Sequence, residues 1–451
     1  MRGVGILADT TVVVHLGPVR PFAGVQSITP SLFYAELMAR SRRFRVLDDE
    51  ITIGARLRIL RRWRGKTQTE LAGLAGLSPS FISMVETGQR PLDRRSHIAA
   101  LANALKVSEA DLVGGPHLSA DRQQADPHGA IPALREAFLT NTLSNPALDR
   151  ARPLSELVTA VTMQVEPART RCDYTAVGQV LPGVLDELHW YIAAAGHEPD
   201  RRLAVETLIE ACLSATLVAK NLGYTDLAHV AALRAREAAA LLDDPVQQGK
   251  ADLARIWALP RERPWDRKLA LIEQTADALE PHARSPLGTC VLGMITLHAA
   301  LAGAVVQRPD EVSHWLGEAD QLAGRIPDDV AGNWQSFGRT NVGVWRVAIS
   351  VERGESGGAL RQLAGTVDEE KIVVRSRKAQ FLADVGRGLA REARTHGDAV
   401  AWLRRAEETG PQHIRNSAPV RETVAYLLNR AVATSGGREL RGMAARMGVP
   451  H

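Results

Sequence analysis

The sequence predicts an all-α protein: a compact unit of short helices near the N-terminus, followed by an α-solenoid of helical-hairpin repeats. Three observations lead there. Helix formers, above all Ala, Leu and Arg, dominate after the first fifty residues, and β-branched runs are rare. Hydrophobic residues reach 45% and charged residues 24%, ordinary values for a chain that buries a core, while aromatics are scarce at 4%. From about residue 133 onward, amphipathic patterns alternate with short Gly/Pro/Asp breaks.

Residues 1–50 stand apart from this pattern. "TTVVVHL" has the composition of a strand, but no partner follows at hairpin spacing, so the segment reads as a poorly ordered leader or an over-extended start. Asp9 interrupts its apolar stretch and no cleavage site follows, which makes it a poor signal peptide.

Residues 51–113 read as five helices. In "ITIGARLRILRRWRG", Ile53, Leu57, Leu60 and Trp63 recur at three- and four-residue steps as one apolar stripe, and Gly65 ends the helix. In "TQTELAGLAG", Thr67 and Glu70 have capping-box spacing, Leu71 and Leu74 are expected to point inward, and Gly76 suits a left-handed turn. The third helix lies in "GLSPSFISMVETGQRP" (76–91). Ser78 is its N-cap and Pro79 takes the first helical position, where a missing N–H costs nothing. Ile82 and Val85 face the core with Phe81 at the edge, and Thr87-Gly88 closes the helix. The outward face is Pro79, Ser80, Ser83, Met84 and Thr87, without a single charge. A solvated face would carry Lys or Glu, so this one is shaped for close contact. "RSHIAALANALKV" supplies a fourth helix with Ile98, Leu101 and Leu105 buried, and "SEADLVGG" a fifth, with Ser108 and Asp111 as its capping box.

Residues 114–132 are rich in Gly, Pro, Asp and Gln and read as a linker. Across 133–451 a break followed by an amphipathic helix recurs, starting at Gly223, Arg263, Arg308, Gly354 and Gly397. The spacing of roughly 40–46 residues fits a helix–turn–helix pair of a solenoid. The uncharged stretch 285–307 is long enough for a bilayer, but Pro286, several glycines and His298 favour a buried helix within the stack. The tryptophans fall mostly one per helix pair, as packing residues would.

Net charge is +4 and unevenly spread: residues 1–115 hold 16 basic and 10 acidic side chains, and the remainder is slightly acidic. Such an asymmetry points to a polyanion at one end. The 3 cysteines are far apart and form no CxxC pair, which suggests neither a disulfide framework nor a zinc site and fits a reducing cytoplasm.

The order "TQTELAGLAGLSPSFISMVETGQRP…HIAALANALKVSEADL" closely resembles the phage-repressor-like Cro/CI-type (XRE) helix-turn-helix family over about sixty residues. The Q-x-E-L-A start, the x-I-S-x-x-E-x-G helix and the A-x-A-L-x-V end occur in the right order and spacing. The resemblance implies a lambda-repressor-like five-helix DNA-binding domain whose third helix enters the major groove, N-terminal residues first. It places Pro79, Ser80 and Met84 at base edges, with Ser83 close by. It puts Gln68 where the family clamps a phosphate, with Ser78 beside it, and Arg61 and Glu86 where an internal salt bridge locks the first helix to the end of the third. Arg58, Arg62, Arg64, Lys66, Arg90 and Arg94 are candidate phosphate contacts. The base-facing set lacks Arg, Asn and Gln, so specificity is expected to lean on shape, water or a partner subunit. The last repeat, "GDAVAWLRRAEE", resembles the second half of a tetratricopeptide repeat.

No phosphate loop, dinucleotide fingerprint or clustered metal-ligand motif occurs, and no cofactor, catalytic residue or metal is expected. "GESGG" (354–358) has the letters of a nucleophile elbow but lies among helical patterns. The expected function is a cytoplasmic transcriptional regulator that binds double-stranded DNA as a homodimer. Its repeats would serve dimerisation, or sensing of a peptide, small-molecule or protein effector in their groove, or both. The alternative is a helical-repeat interaction scaffold with a vestigial DNA-binding module.

Overall fold

The computed structural model describes residues 52–116, 125–194, 196–259, 265–328, 332–431 and 436–449. The leader and the centre of the expected linker lie outside these. All regular structure among the described residues is helical.

Five short helices come first: α1 (Ile53–Trp63), α2 (Gln68–Ala75), α3 (Pro79–Glu86), α4 (Arg95–Leu105) and α5 (Glu109–Val113). Their ends are set by local chemistry. The Thr52 side chain accepts from the Ala55 N–H, and Thr67 and Ser108 each form a complete capping box, with Glu70 and Asp111. Gly65 and Gly76 take left-handed φ values of 66° and 65°, which stops α1 and α2 within two residues of their last turns. Leu57, Leu71, Ile82, Val85, Leu92, Leu101 and Leu112 are all fully buried and close a small core of their own. Each buried side chain of this kind contributes roughly 1.5–3 kcal/mol of transfer free energy.

Two apolar residues depart from the periodic reading. Trp63 is 72% exposed and Leu74 61% exposed, whereas Phe81, expected at the edge, is only 5% exposed. Trp63 sits one turn past the packed part of α1 and stacks under the Arg64 guanidinium, 4.8 Å from its ring centre. Leu74 lies in the last turn of the eight-residue α2, where Leu71 and Ala72 already fill the contact with the core.

The C-terminal helices begin inside the expected linker. Pro127 and His128 are buried in a 3-10 turn, Asp126–His128, and α6 (Ile131–Thr140) follows directly. Then come α7 (Leu154–Thr159), a π-helical segment (Ala160–Val165), α8 (Glu166–Thr170) and α9 (Tyr174–Ala194). The stack proper alternates α10 (Glu198–Asn221), α11 (Thr225–Ala239), α12 (Pro245–Ala258), α13 (Trp265–Leu279), α14 (Pro286–Val305), α15 (Pro309–Gly324), α16 (Arg339–Arg353), α17 (Gly357–Ala364), α18 (Arg375–Leu389) and α19 (His396–Thr409). The chain ends with α20 (Pro411–Arg415), α21 (Ala418–Arg430) and α22 (Gly436–Arg446).

Consecutive helices of the stack pack against each other, as helical hairpins do. The even-numbered helices α10, α12, α14, α16 and α18 also touch their next-but-one neighbours and form a continuous inner row. The recurring amphipathic segments are the odd-numbered helices α11, α13, α15, α17 and α19, each covering that row from outside. Helix α14 is long and apolar enough to cross a membrane by length and composition, but 89% of its most hydrophobic stretch is buried inside the stack. "GESGG" is a helix-to-helix turn: Gly354 caps α16 with φ 80° and the Ser356 hydroxyl caps α17.

The two ends of the stack meet. Helix α8 packs on α18. The Gln412 side chain accepts from the Tyr174 N–H at 2.6 Å, and the Tyr174 hydroxyl lies 3.1 Å from His413. His128 bridges Tyr224 (3.0 Å) and Asn416 (3.2 Å). The inner row therefore curves round an enclosed interior.

Candidate nucleic-acid interface

Helix α3 is short because both ends are chemically marked. The Ser78 hydroxyl accepts from the Phe81 N–H at 3.1 Å and lies 3.1 Å from the Ser80 hydroxyl. At the other end the Thr87 hydroxyl turns back onto the Ser83 carbonyl at 2.8 Å, and Gly88 leaves the helix at φ 70°. Phe81, Ile82, Val85 and Glu86 are buried; Pro79 and Ser80 are exposed, and Ser83 and Met84 half-buried. The four residues expected at base edges thus share one open, uncharged surface at the first turns of the helix.

Arg61 and Glu86 form a bidentate salt bridge, with Nε–Oε1 at 2.5 Å and the second guanidinium nitrogen to Oε2 at 2.8 Å. Burial alone would push the Glu86 carboxyl up. The bonds from Arg61 and Gln68 overcome that and hold it below the usual range. The hydrogen bond to Glu86 likewise raises the Arg61 guanidinium further. Gln68 donates to Glu86 Oε2 at 2.9 Å, so this residue, expected to clamp a phosphate, is joined to the salt bridge at the start of α2. Sequence reasoning missed Gly54. A Cβ there would collide with the Val85 carbonyl oxygen, so α1 crosses α3 at backbone contact.

The basic residues divide. Arg58, Arg62, Arg64 and Arg90 are exposed and Lys66 is half-buried. Arg90 stacks on Phe81 at 4.8 Å, which brings its charge beside the first turn of α3. Arg64 donates to the Lys106 carbonyl at 3.0 Å. Arg94, a candidate phosphate contact, is half-buried: its Nε donates to the Glu352 carbonyl at 2.8 Å, and burial lowers its affinity for a proton. No local signal could show this, because the partner is 258 residues away.

Arg94 is one of several links fastening the back of the five-helix unit to α16, α18 and α21. Glu352 accepts from the Arg95 backbone N–H and guanidinium, both at 2.8 Å. Arg387 donates to the Asp93 carbonyl at 2.7 Å and Arg391 to its carboxylate at 3.2 Å. Arg430 donates to the Gln89 carbonyl at 2.7 Å. Glu422 is buried at the N-terminus of α1 and accepts from the Ile53 N–H at 3.0 Å and the Leu92 N–H at 3.4 Å. Burial pushes its carboxyl up to about 7 against those bonds.

Comparison with known proteins agrees with this geometry over the N-terminal unit. No curated protein and no solved structure matches the chain. A family model does match residues 52–113, and its description is a helix-turn-helix domain; this segment of the chain is therefore a helix-turn-helix DNA-binding domain.

Proposed function

We propose that the protein is a sequence-specific transcriptional regulator whose helix-turn-helix domain is of the Cro/CI (XRE) type. The observation that carries this reading is the α3 surface: Pro79, Ser80, Ser83 and Met84 stand open and neutral while the Arg61–Glu86 bridge fixes the helix behind them. In this reading α3 lies in the major groove, serines and Met84 meet base edges, and Arg58, Arg62, Arg64, Lys66 and Arg90, with Gln68 and Ser78, lie near phosphates. The C-terminal stack would pair two copies on two half-sites, sense an effector, or both. Three buried free cysteines suit a reducing cytoplasm.

The test is Ser80→Glu combined with Met84→Glu, assayed by electrophoretic mobility shift on sites selected from genomic DNA. Specific binding should vanish while the circular dichroism spectrum is unchanged; retention of operator affinity would refute the assigned face. Affinity of the unmodified protein should also fall steeply between low and physiological salt.

One observation favours a second reading, an interaction scaffold with a vestigial DNA module: the base-facing set has no bidentate donor. Chromatin immunoprecipitation separates the two. Focused peaks support the regulator, and a featureless profile the scaffold.

A further inference from the structure

The interior enclosed by the inner row is unlike the rest of the stack. Four of the five inner helices each contribute one polar or aromatic group to a chain of contacts. Trp257 of α12 donates its indole N–H to His298 of α14 at 3.0 Å. The His298 ring meets Trp345 of α16 edge-on, 4.6 Å between centres. The Arg377 guanidinium of α18 lies over Trp345 at 5.9 Å. His298 and Arg377 are ringed by protein yet keep contact with solvent, as groups on a concave wall do.

Arg377 forms no ion pair among the described residues; its polar contact is a long one, 3.5 Å to the Gln335 carbonyl. Asp384, the carboxylate that acts on it, is bonded to Arg387 at 2.9 Å, and Glu166 is bonded to the neighbouring Arg169. Burial, together with the charge of Arg169 and against that of Asp384, lowers the Arg377 guanidinium to about 10. Lys220, Lys268 and Arg377 all act on His298 in the same sense, and burial with their field lowers its imidazole to about 3. A largely desolvated cation without an ion pair is costly to a fold and is usually matched by an anion. The Trp345 indole N–H is likewise buried without an acceptor.

The backbone opposite Arg377 is strained. Gln335 and Ser336 both take left-handed φ values, 52° and 58°, although neither is glycine. Their neighbour Trp334 reaches across the interior to Glu210 of α10 at 3.2 Å. Strain of this kind persists where surrounding structure enforces it, and ligand clamps are a common setting.

We propose that this interior is an effector site for an aryl or similarly flat ligand bearing an anionic group, carboxylate or phosphate. Arg377 holds the anion, the Trp345 N–H donates to it or to an adjoining acceptor, and the half-buried His298 ring, backed by the buried Trp257 and Trp345, meets the flat body. The proposal rests on reading the C-terminal stack as the sensor, and its test uses no DNA, so its failure and that of the regulator reading are separable.

The experiment uses the full chain and three probes of increasing match: inorganic phosphate, benzoate and phenyl phosphate, with benzyl alcohol as the neutral control. Binding is read from tryptophan fluorescence and from the midpoint of thermal unfolding. Benzoate or phenyl phosphate should saturate the fluorescence change and raise the midpoint, inorganic phosphate should act more weakly, and benzyl alcohol should do neither. A preference for benzoate assigns a carboxylate ligand, and a preference for phenyl phosphate a phosphorylated one. Arg377→Met should lose at least tenfold in anion affinity while its unliganded midpoint stays equal or rises, because an unpaired cation has been removed. Trp345→Phe keeps the packing and should weaken the aromatic anions without changing the response to inorganic phosphate. Equal binding by Arg377→Met, no saturable response to any anion, or a lowered Arg377→Met midpoint with unchanged anion response would each overturn the proposal.

Discussion

The two sides of the helix-turn-helix domain invert the usual arrangement of charge. The side facing solvent, at α3, is neutral: Pro79, Ser80, Ser83 and Met84. The side buried against the C-terminal helices is charged: Asp93, Arg94 and Arg95 meet Glu352, Arg387, Arg391 and Glu422. A neutral open face can approach base edges without stripping water from a charge. A charged seam gains little net stability from its ion pairs, since desolvation offsets attraction, but it tolerates only one register of docking. The comparison teaches that contact chemistry and placement chemistry are kept on opposite sides of one small domain.

The largest expected effect tests the link between the two sides. Glu86→Ala leaves the nearly buried Arg61 guanidinium without its carboxylate, and the helix-turn-helix unit should lose roughly 3–5 kcal/mol, measured by chemical denaturation. A loss under 1 kcal/mol would mean α1 and α3 are held by apolar packing alone. Next, Glu352→Ala removes the acceptor of Arg95 and should weaken docking by about 2–3 kcal/mol without unfolding the domain. Hydrogen exchange would show faster amide exchange around residues 92–95 and unchanged protection in α3. If operator affinity then changes, the seam governs reading as well as placement.

A smaller effect follows from proton linkage. Docked Glu422 keeps its proton to about 7, whereas its ordinary value is 4.5. The docked state therefore binds the extra proton between those values. Docking is strongest below about 4.5, weakens as pH rises towards about 7, and then levels off, with a slope of at most about 1.4 kcal/mol per pH unit. Asp93 and Arg421 face the same carboxyl and stay charged across this window. His97, lowered to about 4 by burial, acts in the opposite direction, favouring the folded state less as pH falls from 6.5. Glu422→Gln should flatten the rise in docking strength on acidification; an unchanged profile would assign it to another group. Smallest of all, Ser78→Ala should cost about 1 kcal/mol through loss of the α3 cap, read as a shift in the unfolding midpoint.

Local chemistry was legible before the structure. The caps at Thr67, Ser78 and Ser108, the left-handed glycines and the extent of α3 all follow from neighbours within four residues. The outer helices of the stack were legible for the same reason, since one face meets solvent and leaves a period. The inner row left no such period, and only its uncharged length marked residues 285–307 as a buried helix of the stack. Helix α14 is buried nearly all round, so apolar residues occupy every face and no period survives. Trp63 and Leu74 show the complementary limit: a period gives the side of a helix that is apolar, but not how far along it the core extends. Arg94, Glu352 and Glu422 were illegible because each partnership spans more than 250 residues, and nothing local distinguishes a docking arginine from a solvated one.

Gly54 has a mechanical consequence. Glu422 grips the N–H of Ile53, and the very next residue touches the Val85 carbonyl in α3. The path from the C-terminal helices to α3 is thus one buried carboxylate and two residues of α1. The helix-turn-helix unit is expected to swing with the stack as one lever. In an assembly carrying two such heads, a base pair added between half-sites would have to be absorbed by twisting the DNA, since neither head can swivel to follow it. Spacer length should then be read as strictly as sequence, and graded insertions in a selected operator would measure that stiffness directly.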